Sequence, residues 1–486
     1  MKSAFRIAVT ALALSILTGA QAQDLHYGKV SLDAFTTSGG LHRVQENGSE
    51  NGISLSCESD RRLGKTDLYG RFSFTQSRIR DRQFCDNYDP FDGNPFKVGS
   101  DNAGDYTSQR FGFEVKTSTL RFSDIFIPSL DISYNVGDLS RINDPRSRSQ
   151  QLEISVRPSL SWLFSAGNRL SAGISFGYAK EKMLKLSSKA ENLDRYYYYE
   201  MKGAGAYSQV GIISFSRRYQ LFSTGGDISF HHNGHGMEAI VKGSLSGSGT
   251  SIRGEAGESP GRYDKTTAGL SGDMIITREK TKHRISATVT ARSGRATEFF
   301  QEQRIVTDAR GRVDQYYETL VRTVRFKNSD IYATCSYLAS LKGNPWSAGI
   351  RMDYRAEDSR YILPETEFNW GWLLPAGVLK YGIRLNKIDM AATLQGGWRI
   401  PLSSGLDISP ALETEGKMLI ADKVLAPDAA LFSTGALYIW PEAKVSIPLR
   451  KEYARTLLLG LSGEQLHSFS AHGSRIEGRL SVGIAF

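Results

Sequence analysis

Apolar and polar residues alternate through most of this chain. Between positions 152 and 164, Leu152, Ile154, Val156, Pro158, Leu160, Trp162 and Phe164 take every second place, with Glu153, Ser155, Arg157, Ser159 and Ser161 between them. Successive side chains of a strand point to opposite faces, so a period of two predicts a strand with one apolar and one polar face. After Ser165, Ala166, Gly167 and Asn168 the pattern resumes at Leu170, Ala172, Ile174, Phe176 and Tyr178, which predicts a hairpin with a short turn. Similar runs fall at 68–74, 111–115, 130–136, 237–245, 268–276, 285–291, 348–354, 390–402, 406–412, 437–449 and 457–461. No helical period of useful length competes with them.

The last run ends the sequence. Ile476, Gly478, Leu480, Val482, Ile484 and Phe486 alternate with Glu477, Arg479, Ser481, Gly483 and Ala485. An amphipathic strand that stops on an aromatic residue is the expected closing strand of an outer-membrane barrel, carried by Gly478, Leu480, Val482, Ile484 and Phe486. Closure is required there, because an open edge would present unpaired N–H and C=O groups to hydrocarbon. The fold class expected is therefore all-β: a closed antiparallel transmembrane β-barrel with an even number of strands, about 16–20. Short stretches at 165–168, 341–345 and 403–405 read as periplasmic turns. Longer polar ones at 81–105, 181–203, 308–315 and 421–431 read as extracellular loops. Trp162, Trp346 and Trp398 each lie beside a short turn, which places them in a periplasmic aromatic girdle. Pro375 suggests a further turn, and a change of parity between Val324 and Ala333 asks for a bulge or turn near Asn328.

Composition adds the compartment. Lys2 and Arg6 precede an apolar stretch at 7–17 and a small-x-small site at Ala20, Gln21 and Ala22, so residues 1–22 are expected to be a secretory signal peptide and 23–486 the barrel, in the cell outer membrane. The mean hydropathy is negative, which excludes a helical membrane protein but not a barrel, whose strands dilute each lipid-facing residue with a polar one. Alternation at Val30, Leu32 and Ala34 begins too soon after the cleavage site to leave room for an N-terminal plug domain. The net charge of +9 is spread rather than clustered, so nucleic acid is not an expected partner. Cysteine occurs three times, an odd count; Cys57 and Cys85 are a possible pair, and Cys335 falls on a lipid-facing position.

Candidate chemistry lies on the polar faces. Arg351, Asp353 and Arg355 share one face, Glu442 and Lys444 another, and Glu477 and Arg479 a third, all directed to the lumen. They read either as a charged solute path or as a salt-bridged lining that fixes register. His231, His232 and His235 flank Asn233 and Gly234; they read either as a transition-metal or haem-iron site or as a solvated hairpin turn. The loop with Asp86, Asp89, Asp92, Asp101 and Asp105 lacks the order of a calcium-binding loop and reads as hydrated. The aromatic run from Tyr196 to Tyr199 is open to three readings: an inward constriction, a partner surface or an interface girdle. G-x-S-x-G occurs at 173–177 and 257–261, in neither place between a strand and a helical pattern. His472 beside Ser470 and Ser474 is the nearest approach to a catalytic group, and neither an enzyme nor a cofactor is expected.

The leader, the early start of the strands and the terminal strand from Gly478 to Phe486 resemble an uncharacterised Bacteroidota-type outer-membrane β-barrel family. Its genes often accompany TonB-dependent uptake systems. The resemblance implies a channel or accessory for uptake of a small solute, in a nutrient, iron or haem system. The implied partners are outer-membrane lipid, the barrel assembly machinery and a TonB-dependent transporter or surface lipoprotein. A non-conducting scaffold whose extracellular loops bind a lipoprotein or receptor is the alternative, and an outer-membrane hydrolase the third.

Overall fold

In a computed structural model the alternating segments form one closed sheet. The structure describes residues 25–119, 125–189, 196–211, 215–255, 257–307, 313–411, 418–450, 455–469 and 473–486; the expected signal peptide, Ser470 and His472 lie outside them. The strands are β1 (Leu25–Gly39), β2 (Ser49–Leu63), β3 (Thr66–Arg82), β4 (Val98–Gly99), β5 (Gly104–Thr119), β6 (Phe126–Arg141) and β7 (Arg148–Ser165). They continue as β8 (Asn168–Met183), β9 (Tyr198–Gly203), β10 (Ala206–Val210), β11 (Arg217–Gly234), β12 (Met237–Arg253), β13 (Gly261–Thr277) and β14 (Thr281–Thr307). The remainder are β15 (Val313–Leu341), β16 (Trp346–Ile362), β17 (Glu365–Leu385), β18 (Ile388–Ile408), β19 (Ala436–Arg450), β20 (Arg455–His467) and β21 (Ser474–Ala485). All but β4, β9 and β10 make an 18-stranded antiparallel barrel. The barrel closes where β21 pairs with β1, from Lys29 opposite Ala485 to Gly39 opposite Arg475. Phe486 adds a reciprocal pair of backbone hydrogen bonds with Gly28, at 2.7 and 2.9 Å.

The alternation sorts side chains as the sequence predicts. Along β11, Phe222, Ile228 and Phe230 are exposed on the outer face. They span about 27 Å of strand, or about 20 Å of membrane after strand tilt, close to the height of a lipid-facing belt. Leu245, Leu270, Ile350, Leu461 and Leu480 continue that belt on other strands and are more than half exposed. An apolar girdle of this kind is stable only against lipid, and the protein is an outer-membrane barrel.

Turns at one end are short: 64–65, 166–167, 235–236, 342–345 and 386–387. Both chain ends of the barrel, β1 and β21, meet at this periplasmic side. The turn in the histidine stretch falls at His235 and Gly236, both with positive φ, rather than at Asn233 and Gly234, which remain in the ladder opposite Glu238 and Met237.

Three expectations fail. Ser403 and Gly405 are not a turn: β18 runs through them, paired with Gly371 and Asn369 of β17. Pro375 does not turn the chain either. It stays in β17 opposite Met352 while the ladder to β18 lapses between Leu373 and Ala376, where proline has no N–H to give. With no turn beside it, Trp398 belongs to the other end, stacked on Phe469 at 5.7 Å, while Trp162 and Trp346 do flank periplasmic turns and are exposed. The parity change in β15 is a bulge: Phe326 pairs Ala296 and Val324 pairs Thr297, leaving Arg325 as the extra residue.

At the outer end, the loops fold inward. β4, β9 and β10 form a small separate sheet, and 421–431, expected to be a polar loop, falls in a π-helical turn (Ala421–Leu425) continuing into helix α1 (Ala426–Phe432). Phe84, Phe96, Val98, Tyr198, Ile420 and Val424 from these segments are buried.

Candidate functional site in the lumen

The seven sequence-selected charges all lie on the inward parity of their strands. Arg351 bonds Asp353 at 2.9 Å and reaches Gln395 at 3.4 Å. Arg355 is separate from them and stacks its guanidinium over Trp370 at 5.2 Å. Glu442 pairs with Lys444 at 2.7 Å, and Glu477 lies 4.0 Å from Arg475. Glu442, Lys444, Glu477 and Arg479 line a common cavity of about 640 Å³ with Asp33 and Glu464, running along β1 and β19–β21. The wall is also tied together: Arg157 bonds Asp131 at 2.8 Å and Asp227 at 2.7 Å, and Lys242 lies 3.6 Å from Asp227. Arg157 reaches across β8 at Gly173, where a Cβ would stand 2.8 Å from its guanidinium.

The outer half of the lumen is occupied by the protein's own loops, held on polar anchors. Asp86, buried and on the loop after β3, accepts hydrogen bonds from Tyr106 and Arg141 of the wall and, at 2.8 Å, from Tyr198 of β9. Arg217, the first residue of β11, grips Glu200 of β9 with two nitrogens at 2.7 and 3.2 Å and holds Glu258 at 2.8 Å. Arg43 bonds Asp428 of α1 at 2.9 Å and lies 3.6 Å from Glu357 of the wall. Lys202 of β9 meets Glu298 at 3.2 Å, and Asn328 and Lys265 donate to the carbonyls of Gly93 and Asp92. Ring contacts add to these: Phe432 of α1 lies flat on Trp370 at 3.9 Å. Gly203 lets β9 approach the wall, since its φ is +102° and a Cβ would meet Phe326 at 2.3 Å. A cavity of about 120 Å³ remains between loops and wall, lined by Arg43, Lys97, Arg292, Asp330, Arg355 and Glu357 among others.

Burial tunes the loop groups. It pushes the Tyr199 phenol up to about 12, and Tyr198 is raised further by burial and by the Asp86 carboxylate. Burial works against the Lys97 ammonium, but the Asp92 carboxylate at 2.8 Å together with Cys85 and Glu181 outweighs it, and Lys97 stays charged. Burial likewise raises the Cys85 thiol against the pull of Arg82, so it remains a protonated filler. All three cysteines are free, so Cys57 and Cys85 are not bonded, and Cys335 is exposed on the lipid face.

Asp86 of the aspartate-rich loop is thus an internal anchor while Asp89 is exposed, and in the Tyr196–Tyr199 run Tyr198 and Tyr199 turn inward while Tyr197 is exposed. The histidines do not converge: His231 faces Glu238 at 3.5 Å, and His232 bonds Asn168 at 2.7 Å on the opposite side of the strand. Among the described residues no group of three or more His, Cys, Asp and Glu side chains is placed to hold a metal ion. Asp86 and Tyr198 stand out in the sequence without their shared anchoring role, and Arg141 and Arg217 do not stand out at all, although Phe84, Phe91, Phe96 and Val98 are an unusual apolar load for a solvated loop.

A family profile matches residues 15–486. The chain belongs to DUF6850, a family of unknown function. No curated protein sequence matches this DUF6850 chain. Among solved structures, the ferric citrate transporter FecA in its unliganded form aligns over 96% of the DUF6850 chain and 79% of its own, with 7% identity and a TM-score of 0.38. The FrpB iron transporter of Neisseria meningitidis aligns over 98% and 83%, with 9% identity and a TM-score of 0.37. The copper transporter OprC aligns over 95% and 81%, with 9% identity and a TM-score of 0.35. Likeness at that level carries no argument about the function of a DUF6850 barrel.

Proposed function

We propose that this barrel passes a small solute inward across the outer membrane through a lumen that its own outer loops hold shut. The observation that carries the reading is the division of the lumen. A charged cavity of about 640 Å³ runs along the wall, while the outer half is filled by a loop sheet and helix seated on buried ion pairs. A solute would reach the cavity only when those loops are displaced. Displacement would be driven by a ligand or by a partner that binds the unseated loops better than the seated ones. A TonB-dependent transporter or a surface lipoprotein is the partner class we propose for that role.

Planar-bilayer recording of the purified barrel tests the reading. Wild type is expected to stay closed for most of the record, and an Asp86→Ala/Glu200→Ala variant to show frequent conductance steps. Within the open variant, Arg351→Ala should shift ion selectivity. If the variant migrates as a folded barrel and never conducts, solute passage is wrong. The scaffold reading then stands, favoured by the same buried anchors, which would hold the loops rigid for a partner; a stoichiometric partner should co-purify with the wild-type barrel.

A further inference from the structure

The outer surface carries cations where its neighbours in the ladder are also cations. Lys182 of β8 pairs in register with Arg218 of β11, which pairs with Arg253 of β12. Farther round, Arg295 of β14 pairs with Lys327 of β15, which pairs with Arg360 of β16. All six are exposed, and the residues beside them in sequence, among them Met183, Arg217, Tyr219, Ile252, Ala296, Phe326 and Tyr361, are buried toward the lumen. The cations therefore face outward. Neighbouring strands lie about 5 Å apart, so each trio puts three positive charges within about 10 Å.

Like charges directly opposite one another destabilise a sheet. Arg360 is relieved by Glu365 and Glu367, and Arg262 by Asp264, which also stands opposite Arg295 in the ladder without bonding it. Among the described residues no carboxylate lies within ion-pair distance of Lys182, Arg218, Arg253, Arg295 or Lys327. Asp358, beside the second trio, reaches none of its cations. Between Arg262 and Arg360 the surface is also hollow, with a depression of about 840 Å³ lined by Gly247, Thr266, Ser293 and Ser329 together with Arg295, Lys327, Asp264 and Asp358.

Height in the membrane selects the counter-ion. On β11 the outward positions run Phe222, Gln220, Arg218, so the cation stands about 13 Å along the strand from Phe222, itself 64% exposed in the apolar belt. On β15 the same face runs Ile331, Ser329, Lys327. Both trios thus sit at headgroup level on the loop side, the outer leaflet.

We propose that the two trios bind the phosphate groups of a phosphorylated outer-leaflet glycolipid, a lipopolysaccharide. Its acyl chains lie on the apolar belt. Its phosphates bridge Lys182, Arg218 and Arg253 on one patch and Arg295 with Lys327 on the other, and the small-residue hollow takes the sugar.

The full-length barrel in nanodiscs is titrated with lipid A, with dephosphorylated lipid A, with inorganic phosphate and with a lipid-free acidic polysaccharide, and bound mass is read by native mass spectrometry. Phosphorylated lipid A should bind saturably and lose affinity with added salt. Lys182→Ala/Arg218→Ala/Arg253→Ala should weaken it on the order of a hundredfold. Arg218→Lys/Arg253→Lys, which keeps the charge and the fold, should stay near wild type. Equal binding of the dephosphorylated lipid, or an alanine variant that migrates as a folded barrel and binds like wild type, overturns the proposal. So does saturable binding of the polysaccharide or of free phosphate with none of lipid A.

Discussion

Replacing Glu200 by alanine should unseat the loop sheet without opening the barrel wall. Glu200 and Arg217 are 6% and 7% exposed in their side chains and joined by two hydrogen bonds at 2.7 and 3.2 Å. Removing one partner of a buried pair costs about 3–5 kcal/mol, mostly because the other charge is stranded. Arg217 would keep Glu258 at 2.8 Å, whose side chain is 31% exposed, so the lower end of that range, about 3 kcal/mol, applies. At about 1.4 kcal/mol per factor of ten, the unseated population rises about a hundredfold. Hydrogen exchange measured by mass spectrometry should show this as faster exchange of β9 and β10, with β13 and β14 unchanged. The companion variant Glu200→Met/Arg217→Met removes both charges; it should exchange much more slowly than Glu200→Ala, because an apolar pair replaces a buried ionic one at little net cost. Unchanged exchange of β9 in Glu200→Ala would refute the clamp. Equal acceleration in β9 and β14 would show that the pair holds the wall instead.

Other perturbations separate the same parts. Gly203→Ala forces a side chain into positive φ against Phe326, so it should cost the loop sheet about 1–3 kcal/mol and expose 198–210 to protease. Leu480→Arg, on the lipid face, should destabilise the barrel by about 2–4 kcal/mol in urea refolding into vesicles. Alkali should release the loops. Tyr199 has a seated pKa of about 12 against an ordinary 10.0, so the seated state keeps a proton that the released state loses. That contribution is whole below pH 10.0 and disappears as pH climbs toward 12, and protease sensitivity of 198–210 should rise over that interval while barrel migration on gels persists.

The wall was legible because its signal is local. In β21, Leu480, Val482 and Ile484 point out and Arg479 and Ser481 point in, and a period of two states this without knowledge of any other strand. The strand breaks were less legible. Ser403, Gly405 and Pro375 carry turn chemistry, yet their neighbours in β17 and β16 supply the ladder and override it. The seated loops were hidden for another reason. What draws Asp86 inside is Tyr106, Arg141 and Tyr198, far along the sequence, and no window around Asp86, Asp89 and Asp92 reveals them. The segment 419–432 left a fainter trace, since Ile420, Val424 and Leu425 recur at helical spacing, but it is too short to stand out among strands.

The lumen charges fall into two classes that a single alanine scan would confuse. Asp131, Arg157, Asp227 and Lys242 belong to β6, β7, β11 and β12 and tie wall to wall. Arg217 with Glu200, Arg43 with Asp428 and Lys202 with Glu298 tie wall to loop, or loop to loop. A solute path that opens by loop displacement needs the second class to break while the first holds. Arg157→Ala should therefore lower barrel stability, since Asp131 loses its bond and Asp227 keeps only Lys242 at 3.6 Å, yet leave the closed state closed. Glu200→Ala should do the reverse. If both variants open the lumen to the same degree, the loops are not an independent element. The barrel would then be one cooperative body, and passage would require the wall itself to deform, a motion that a hydrogen-bonded 18-strand cylinder resists at every strand pair.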